Sequence, residues 1–226
     1  MHISADALKR MDRTQKIISL TVIGFIGASI GGYLVYRPYI ANREQQAHVR
    51  FVDSMEIYLQ AQAAGQDKDK KKYQQGLYEE AELAFHAGSD QHASSYLSPY
   101  FIALQASAML QQGKRDEALV LYEKAYNSIP TRSPVRNLFA IQLALIQIDD
   151  EKTSVNGVKS LQSLASDTAN QYQDLAQFYL GQYYWSRGEI EEAKTVWLKL
   201  IEDQHQYGDA SSPWAQLASM RITENS

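Results

Sequence analysis

Five histidines and several adjacent acidic pairs are the residues of this 226-residue chain that could bind a metal ion or perform acid–base chemistry. His86 and His92 are the closest pair of histidines, but the glycine between them interrupts the segment, which is a poor arrangement for a shared metal ion. Glu191 and Glu192 form an acidic pair near the start of a helical segment. Because neighbouring side chains on a helix point about 100° apart, these two carboxylates do not converge on one substrate.

Motifs of known catalytic mechanism are absent from the sequence. There is no cysteine, and therefore no thiolate nucleophile, disulfide or cysteine-ligated metal site. No glycine-rich phosphate loop, Gly-x-Ser-x-Gly elbow or His-Glu-x-x-His zinc motif occurs. The net charge of −4 argues against nucleic-acid binding. The sequence predicts a protein that is not an enzyme, with no catalytic residues, no cofactor and no metal site.

An uncharged stretch near the N-terminus is the most decisive feature of the chain. Residues 17–36 read IISLTVIGFIGASIGGYLVY, with no charge between Lys16 and Arg37. A helix of this length spans roughly 30 Å, the thickness of the hydrocarbon core of a bilayer. A cleaved signal peptide has a shorter apolar region and a small-residue cleavage site, whereas Arg37 and Pro38 follow this stretch. We therefore expect an uncleaved transmembrane helix over residues 17–36.

The charges of residues 1–16 favour one orientation in the membrane. This short tail carries four basic residues against two acidic ones: Lys9, Arg10, Arg13 and Lys16 against Asp6 and Asp12. Basic flanking residues remain preferentially on the cytoplasmic side. We expect residues 1–16 in the cytoplasm and the C-terminal body across the membrane, which in a bacterium is the periplasm.

The predicted transmembrane helix carries small residues one helical turn apart. Gly24, Gly27, Ala28 and Gly31 form overlapping small-x-x-x-small pairs. Small side chains let two helix backbones approach closely. These four residues are predicted to pack against another membrane helix, either of a partner subunit or of a second copy.

The body that follows is predicted to be helical. Residues 41–64 contain no proline or glycine and carry an apolar stripe with helical spacing. A charged connector then leads to a second helix, which is expected to end before Gly88. We assign residues 40–98 to a juxtamembrane helix and a first helix hairpin.

An internal repeat organises residues 99–226. Two segments, beginning at Pro99 and Asp174, place a small residue, a glycine, a second small residue and an aromatic residue at equal spacings. The matched pairs are Ala106/Gly181, Gly113/Gly188, Ala118/Ala193 and Tyr122/Trp197. Small residues let two antiparallel helices cross closely, the aromatic ring fills the space beside that crossing, and the glycine permits a tight turn.

This pattern resembles the tetratricopeptide repeat, a helix–turn–helix unit of about 34 residues. The first copy departs from the repeat at Gln105 and Met109, and the second has His205 where a closing proline is typical. The resemblance implies an all-α fold in which helix hairpins stack into a solenoid.

Two further segments complete the predicted solenoid. Residues 133–173 read as a degenerate hairpin whose turn includes Gly157. Residues 213–222 read as the capping helix that terminal repeats require.

The resemblance also implies where a partner binds. In repeats of this type the first helix of each hairpin lines a concave groove. Aromatic side chains with polar tips suit peptide binding because they offer a large contact area at low entropic cost. The predicted groove consists of Tyr100, Ser107, Leu110, Leu175, Phe178, Gln182 and Trp185.

The order of a basic tail, one membrane helix, a juxtamembrane helix and a small repeat domain resembles the ancillary Sec-translocon subunit family, the YfgM-like proteins of the bacterial inner membrane. That resemblance implies a membrane-anchored adaptor whose protein partners are translocon subunits, periplasmic chaperones or secreted polypeptides. Nucleic acid and small-molecule substrates are not expected. Two alternatives stay open: a receptor like those of the mitochondrial outer membrane, with cytosolic repeats, and a structural subunit of a larger membrane assembly.

Overall fold

The computed structural model describes residues 13–65, 71–150, 152–205 and 212–223, and the side chains of these residues except 13–37 and 204–205. In this part of the chain the backbone forms nine α-helices and no β-strand. They are α1 (Arg13–Ala64), α2 (Lys71–Gln91), α3 (Ser98–Gln111), α4 (Arg115–Ser128), α5 (Arg136–Ile148), α6 (Ser154–Ser166), α7 (Gln173–Ser186), α8 (Ile190–His205) and α9 (Pro213–Thr223).

The helices pack in chain order as four hairpins, α1/α2, α3/α4, α5/α6 and α7/α8, followed by α9. Four apolar clusters hold them together, and each cluster draws side chains from three consecutive helices. The last cluster joins α7, α8 and α9 through Phe178, Trp197 and Ala215. Because each hairpin shares its core with the next helix in the chain, the predicted all-α stack of helix hairpins is confirmed.

Helix α1 is one continuous helix that includes Pro38. We expected the predicted membrane span and the juxtamembrane helix to be separate helices on either side of this proline. Proline removes only one i→i−4 hydrogen bond, and here the helix continues through it.

No helix among the residues with described side chains is long and apolar enough to cross a bilayer. The predicted span, residues 17–36, lies outside those residues, as do its predicted packing residues Gly24, Gly27, Ala28 and Gly31.

Helix α2 runs through Gly88 and ends at Gln91, so the expected end before Gly88 was wrong. Gly88 is buried, and a methyl group at its Cα would lie 2.2 Å from Cε1 of Phe101. The glycine is therefore required for the approach of the Phe101 ring, and it does not break the helix.

The two predicted turn glycines adopt the left-handed backbone conformation. Gly113 has φ +80° and Gly188 has φ +78°, and they are the only two residues with positive φ in the described chain. Each connects the two helices of its hairpin, α3 to α4 and α7 to α8. Residues with a Cβ are strained in this conformation, so the sequence-based assignment of these turns is confirmed.

The degenerate hairpin α5/α6 differs from the expectation at one residue. Gly157 lies inside α6 and is buried, although we expected it in the turn. A methyl group there would lie 2.7 Å from the carbonyl oxygen of Ala144 and 2.7 Å from the amide nitrogen of Ile148. Gly157 therefore lets α6 contact the backbone of α5.

Candidate functional site

The first helix of each hairpin keeps one face partly open after packing against its neighbours. On α3, Phe101, Ile102 and Ala106 are buried. The side chains left on the other side recur at i, i+4, i+7 and i+11, which is one face of a helix. They are Tyr100, Leu104, Ser107 and Gln111.

The same construction recurs on the other three first helices. On α5, burial of Phe139 and Ile141 on two sides leaves a face between them. We call the combined surface the open face. Besides the four residues of α3 it consists of Val52, Glu56 and Leu59 on α1, Leu138, Gln142 and Leu145 on α5, Tyr179 and Gln182 on α7, and Tyr172 just before α7.

A row of aromatic rings crosses the N-terminal ends of α3, α5 and α7. The Tyr100 ring meets the Phe139 ring edge-on, with centroids 5.4 Å apart. Tyr96, which is 58% exposed, hydrogen-bonds with His48 of α1 and packs edge-on against its ring at 5.4 Å. These contacts join α1, α3 and α5 along one edge of the open face.

The Tyr100 hydroxyl lies close to the phenol groups of two other tyrosines. Burial raises the pKa of Tyr100 above its ordinary value of 10.0, and the neighbouring phenols of Tyr172 and Tyr96 raise it further. Three tyrosines from separate segments therefore lie close enough to interact, and Tyr100 stays uncharged at neutral pH.

Three glutamines on the open face have unused hydrogen-bonding capacity. Within the part of the chain that the structure describes, the Gln111, Gln142 and Gln182 side chains make no hydrogen bond. Ser107, in contrast, donates its hydroxyl to the Ala103 carbonyl at 3.0 Å. Each free glutamine amide offers two donors and one acceptor oxygen to a bound molecule.

Three of the seven predicted groove residues, Tyr100, Ser107 and Gln182, lie on the open face. Leu175 and Phe178 do not: both are buried, with 6% and 5% exposure, in the cores around α7. The Phe178 ring packs against Trp214 of α9 at 5.4 Å. Their assignment to an exposed groove surface is therefore corrected, because α9 and α5 cover the sides of α7 on which they lie.

Leu110 and Trp185 are half-buried and also serve the internal packing. Leu110 packs against the cluster shared by α3, α4 and α5. The Trp185 indole lies 5.6 Å from the Trp197 indole, on the side of α7 that faces α8 and α9. Both contribute to the stability of their hairpins. Several open-face residues also pack in part against the internal clusters: Tyr100, Leu104, Leu138, Leu145, Tyr172 and Tyr179.

Leu104, Leu138, Gln142 and Tyr179 are open-face residues that the sequence interpretation missed. The α5 residues were missed because the α5/α6 hairpin lacks the repeat signature, so no groove position was transferred to it. An i, i+4, i+7 pattern from Tyr100 would have found Leu104, and the cluster of tyrosines around Tyr179 was a second usable signal.

Other concavities of the described chain carry less chemistry. A shallow cleft of about 540 Å³ lies beside α1 near the end of α2 and includes Arg50, Asp53 and His92. The His92 ring stacks on Phe101 at 6.3 Å. No three His, Asp or Glu side chains converge on one point among the residues described. The open face is thus the most extensive candidate for binding.

Comparison with known proteins identifies the fold. No protein-family model and no curated protein matches this sequence. The fold is similar to the crystal structure of a candidate kinesin light chain from Podospora anserina, which is built of nearly identical TPR-like repeats. The match has a TM-score of 0.50 and 16% sequence identity, and it covers 73% of this chain and 82% of that one. The helix hairpins described above therefore have a fold like that of tetratricopeptide-like repeats.

Proposed function

We propose that this protein is a non-enzymatic adaptor that binds other proteins on its open face. The observation that carries the proposal is the continuity of that face across α1, α3, α5 and α7. It combines tyrosine rings, aliphatic side chains and unpaired glutamine amides along the first helices of four successive hairpins. Such a long surface suits an extended polypeptide better than a compact small molecule, which needs an enclosed pocket.

The adaptor is proposed to be anchored in a membrane by residues 17–36. The support is the uncharged sequence of this stretch together with the continuous backbone of α1 from Arg13 to Ala64. From Tyr36 to Val52, the first open-face residue, the helix rises roughly 24 Å. An anchor built this way holds the open face at a set height above the bilayer.

The bacterial inner membrane, with the repeats in the periplasm, is the proposed location. The support is the excess of basic residues in the tail over residues 1–16. The proposed partners are the Sec translocon, contacted through Gly24, Gly27, Ala28 and Gly31, and secreted polypeptides or periplasmic chaperones, contacted through the open face. Support for these partners is the resemblance in layout to the ancillary translocon subunits.

Site-specific photocrosslinking tests the two contact regions separately. A photoreactive residue replaces Gly27 in one variant and Ser107 in another, and the adducts are identified by mass spectrometry. Translocon subunits are expected from position 27, and secreted polypeptides or chaperones from position 107. Adducts to lipid or to a second copy alone at position 27, with none from position 107, would overturn the proposal.

Protease protection tests the topology. In intact spheroplasts, added protease is expected to digest the C-terminal body and to leave residues 1–16 protected. Protection of the body instead would favour a receptor with cytosolic repeats. Carbonate-resistant membrane association that persists after deletion of residues 1–37 would contradict the anchor and favour a structural subunit held by its repeats.

A further inference from the structure

One side of α1 is packed against the rest of the chain. Ala47, Ser54 and Ala61 follow one another at intervals of seven residues, or about two helical turns, and all three are 0% exposed. Ala47 and Ala61 belong to the apolar cluster that α1 shares with α2 and α3. These three positions therefore mark the line along which α1 contacts the repeats.

Seven exposed residues run along the opposite side of α1, and we call this row the seam. They recur at alternating spacings of three and four residues, which are the a and d positions of a heptad repeat. An a or d position lies about 140–160° around the helix from the buried line. The seam consists of Asn42, Gln45, Val49, Val52, Glu56, Leu59 and Ala63.

The seam is unusually apolar for the outer side of a terminal helix. Val49, Val52 and Leu59 are 57%, 62% and 53% exposed. The end of a repeat stack requires a polar outer face to remain soluble. Aliphatic side chains at a and d positions are instead the pattern by which one helix packs against another. The seam therefore has the composition of a helix-binding surface.

The same heptad register continues towards the N-terminus in the sequence. Helix α1 is continuous from Arg13 to Ala64, so one register applies to its whole length. Three of the four small residues that are predicted to pack in the membrane fall on it. Counted back from Asn42, the a and d positions are Pro38, Val35, Gly31, Ala28 and Gly24.

The polar residues beside and within the seam favour a second copy of the chain as its partner. When two identical helices pair in parallel, each a position meets its own counterpart, so Asn42 meets Asn42 and the two amides can hydrogen-bond. An asparagine at an a position is a device that specifies such a pair. In the same arrangement His48 at g faces Asp53 at e of the other helix, and its imidazole can donate to that carboxylate.

Glu56 is the seam residue that opposes this pairing. It accepts a hydrogen bond from Gln60 at 3.3 Å and has no cationic partner among the described residues. In a symmetric pair two Glu56 carboxylates face each other, and like charges at this distance weaken the contact. The pairing is therefore weak in dilute solution. Confinement of both copies in one bilayer raises their effective concentration and favours it.

We infer that two copies of this protein pair through the seam, with their α1 helices parallel and in register as a two-stranded coiled coil. This inference goes beyond the adaptor function and draws on the proposed anchor for the parallel orientation and the confinement. No residue of α3, α5 or α7 belongs to the seam, so those parts of the open face stay available to a bound polypeptide.

Disulfide crosslinking tests the pairing, because the chain contains no cysteine of its own. A single cysteine replaces Val52 in the seam or, as the matched control, Leu83, which is 67% exposed on α2. The full-length variants are reconstituted at low density in lipid vesicles and mildly oxidised. We expect at least about fivefold more covalent dimer from Val52→Cys than from Leu83→Cys. Equal yields would overturn the inference.

A third variant, Leu59→Cys, tests the orientation. In a parallel pair in register, position 52 meets position 52 and position 59 meets position 59, so both variants form dimers. An antiparallel or shifted pair brings at most one of these positions opposite itself, and a disulfide does not form when the Cα atoms are more than about 7 Å apart. Dimer from only one of the two variants would contradict the parallel coiled coil.

Energy transfer between copies labelled at the C-terminus measures the strength of pairing in the same vesicles. Glu56→Gln removes the facing charges and is expected to strengthen pairing about threefold or more. Val52→Gln removes apolar contact and is expected to weaken it about fivefold or more. Glu80→Gln and Leu83→Gln make the corresponding changes on exposed residues of α2 and should leave it unchanged. Pairing that responds equally to the seam and control variants would remove the seam as the interface.

Failure of the inference and failure of the proposed function give different results. A protein that floats with the vesicles but forms no more dimer from position 52 than from position 83 overturns the pairing and leaves the anchored adaptor intact. A photoreactive residue at position 52 that reaches a different protein in native membranes, and no second copy, also overturns the pairing. A protein that does not float with the vesicles overturns the anchor and the membrane-held pair together.

Discussion

The indole ring of Trp197 lies directly against Gly181, where a methyl group would be only 2.2 Å from its Nε1 atom. The same Nε1–H donates a hydrogen bond to the Phe178 carbonyl at 3.1 Å, one turn earlier on α7. Trp197 is 1% exposed. One residue without a side chain thus lets the largest side chain of α8 bond to the backbone of α7, which sets the separation of the two helices.

Gly181→Ala is expected to destabilise the protein. The added methyl group displaces the Trp197 indole and lengthens its hydrogen bond, and overpacking of this kind costs about 1–3 kcal/mol. The better helix propensity of alanine offsets about 1 kcal/mol of this, which leaves a net loss of up to about 2 kcal/mol. Urea unfolding followed by circular dichroism measures the change.

Gly76→Ala is the matched control. Gly76 also lies inside a helix, but a methyl group there has no other atom within 4 Å. We expect a gain of up to about 1 kcal/mol from helix propensity alone. Equal effects of the two substitutions would show that the Trp197 contact does not constrain position 181.

Gly113→Ala tests the energetic cost of the left-handed backbone conformation in the α3/α4 turn. The φ of Gly113 is +80°, and a methyl group at this position meets nothing within 4 Å. The expected loss of about 1–2 kcal/mol therefore comes from the left-handed conformation and not from a clash. Gly113→Asn should lose less, since asparagine tolerates this conformation. Thermal unfolding of both variants checks the order, and a larger loss for Asn would contradict it.

Tyr122→Phe should change how stability depends on alkaline pH. Burial raises the pKa of Tyr122 above its ordinary value of 10.0 in the folded chain. Above pH 10 the unfolded chain loses this proton while the folded chain keeps it, so the free energy of unfolding falls by up to about 1.4 kcal/mol per pH unit. Below pH 10 the contribution is fully present. Removing the hydroxyl removes this part of the decline.

Urea unfolding of the wild type and Tyr122→Phe between about pH 8 and pH 11 tests this expectation. The two stabilities should run parallel up to pH 10, and the variant should lose less above it. Tyr73→Phe is the control, because Tyr73 is 59% exposed and has no shielded hydroxyl. Parallel curves for Tyr122→Phe over the whole range would contradict the assignment.

Arg136→Lys should loosen the junction between α4 and α5. The Arg136 guanidinium donates hydrogen bonds to the carbonyls of Tyr126 and Ile129 and lies 4.3 Å from the centre of the Tyr126 ring. Arg136 of α5 therefore caps the C-terminal end of α4 by binding its last carbonyl groups. Lysine keeps the charge but cannot reproduce the planar, forked contact, and we expect a loss of about 1–2 kcal/mol.

Hydrogen exchange followed by mass spectrometry locates the effect of Arg136→Lys. Faster exchange is expected in the segment from Tyr126 to Phe139, with α7 and α8 unchanged. Arg132→Lys is the control, since Arg132 is exposed in the same connection. Uniformly faster exchange throughout the chain would show that this contact is not local.

The sequence by itself determined the repeat and its turns. Two local patterns carried this information. One is a small residue on the first helix paired with an aromatic residue on the second, Ala106 with Tyr122 and Gly181 with Trp197. The other is the pair of turn glycines at the same spacing. Local patterns suffice here because a helix hairpin is built from contacts between residues close in the chain. The repeat spacing also predicted Tyr100 and Ser107 as groove residues, and both lie on the open face. It predicted no groove residue in the α5/α6 hairpin, which lacks the repeat signature.

Only the tertiary structure decided which face of each helix is covered. Helical periodicity shows that Leu175, Phe178 and Trp185 lie near one another on α7. The packing of α5 and α9 places Leu175 and Phe178 in the core, and Trp185 packs half-buried against it. Gly88 and Gly157 read as helix breakers, yet each lies inside a helix because Phe101 or the α5 backbone needs the space. The period of a helix determines which side chains share a face. Which neighbouring helix covers that face depends on contacts between helices. Those contacts determined which residues form the open face.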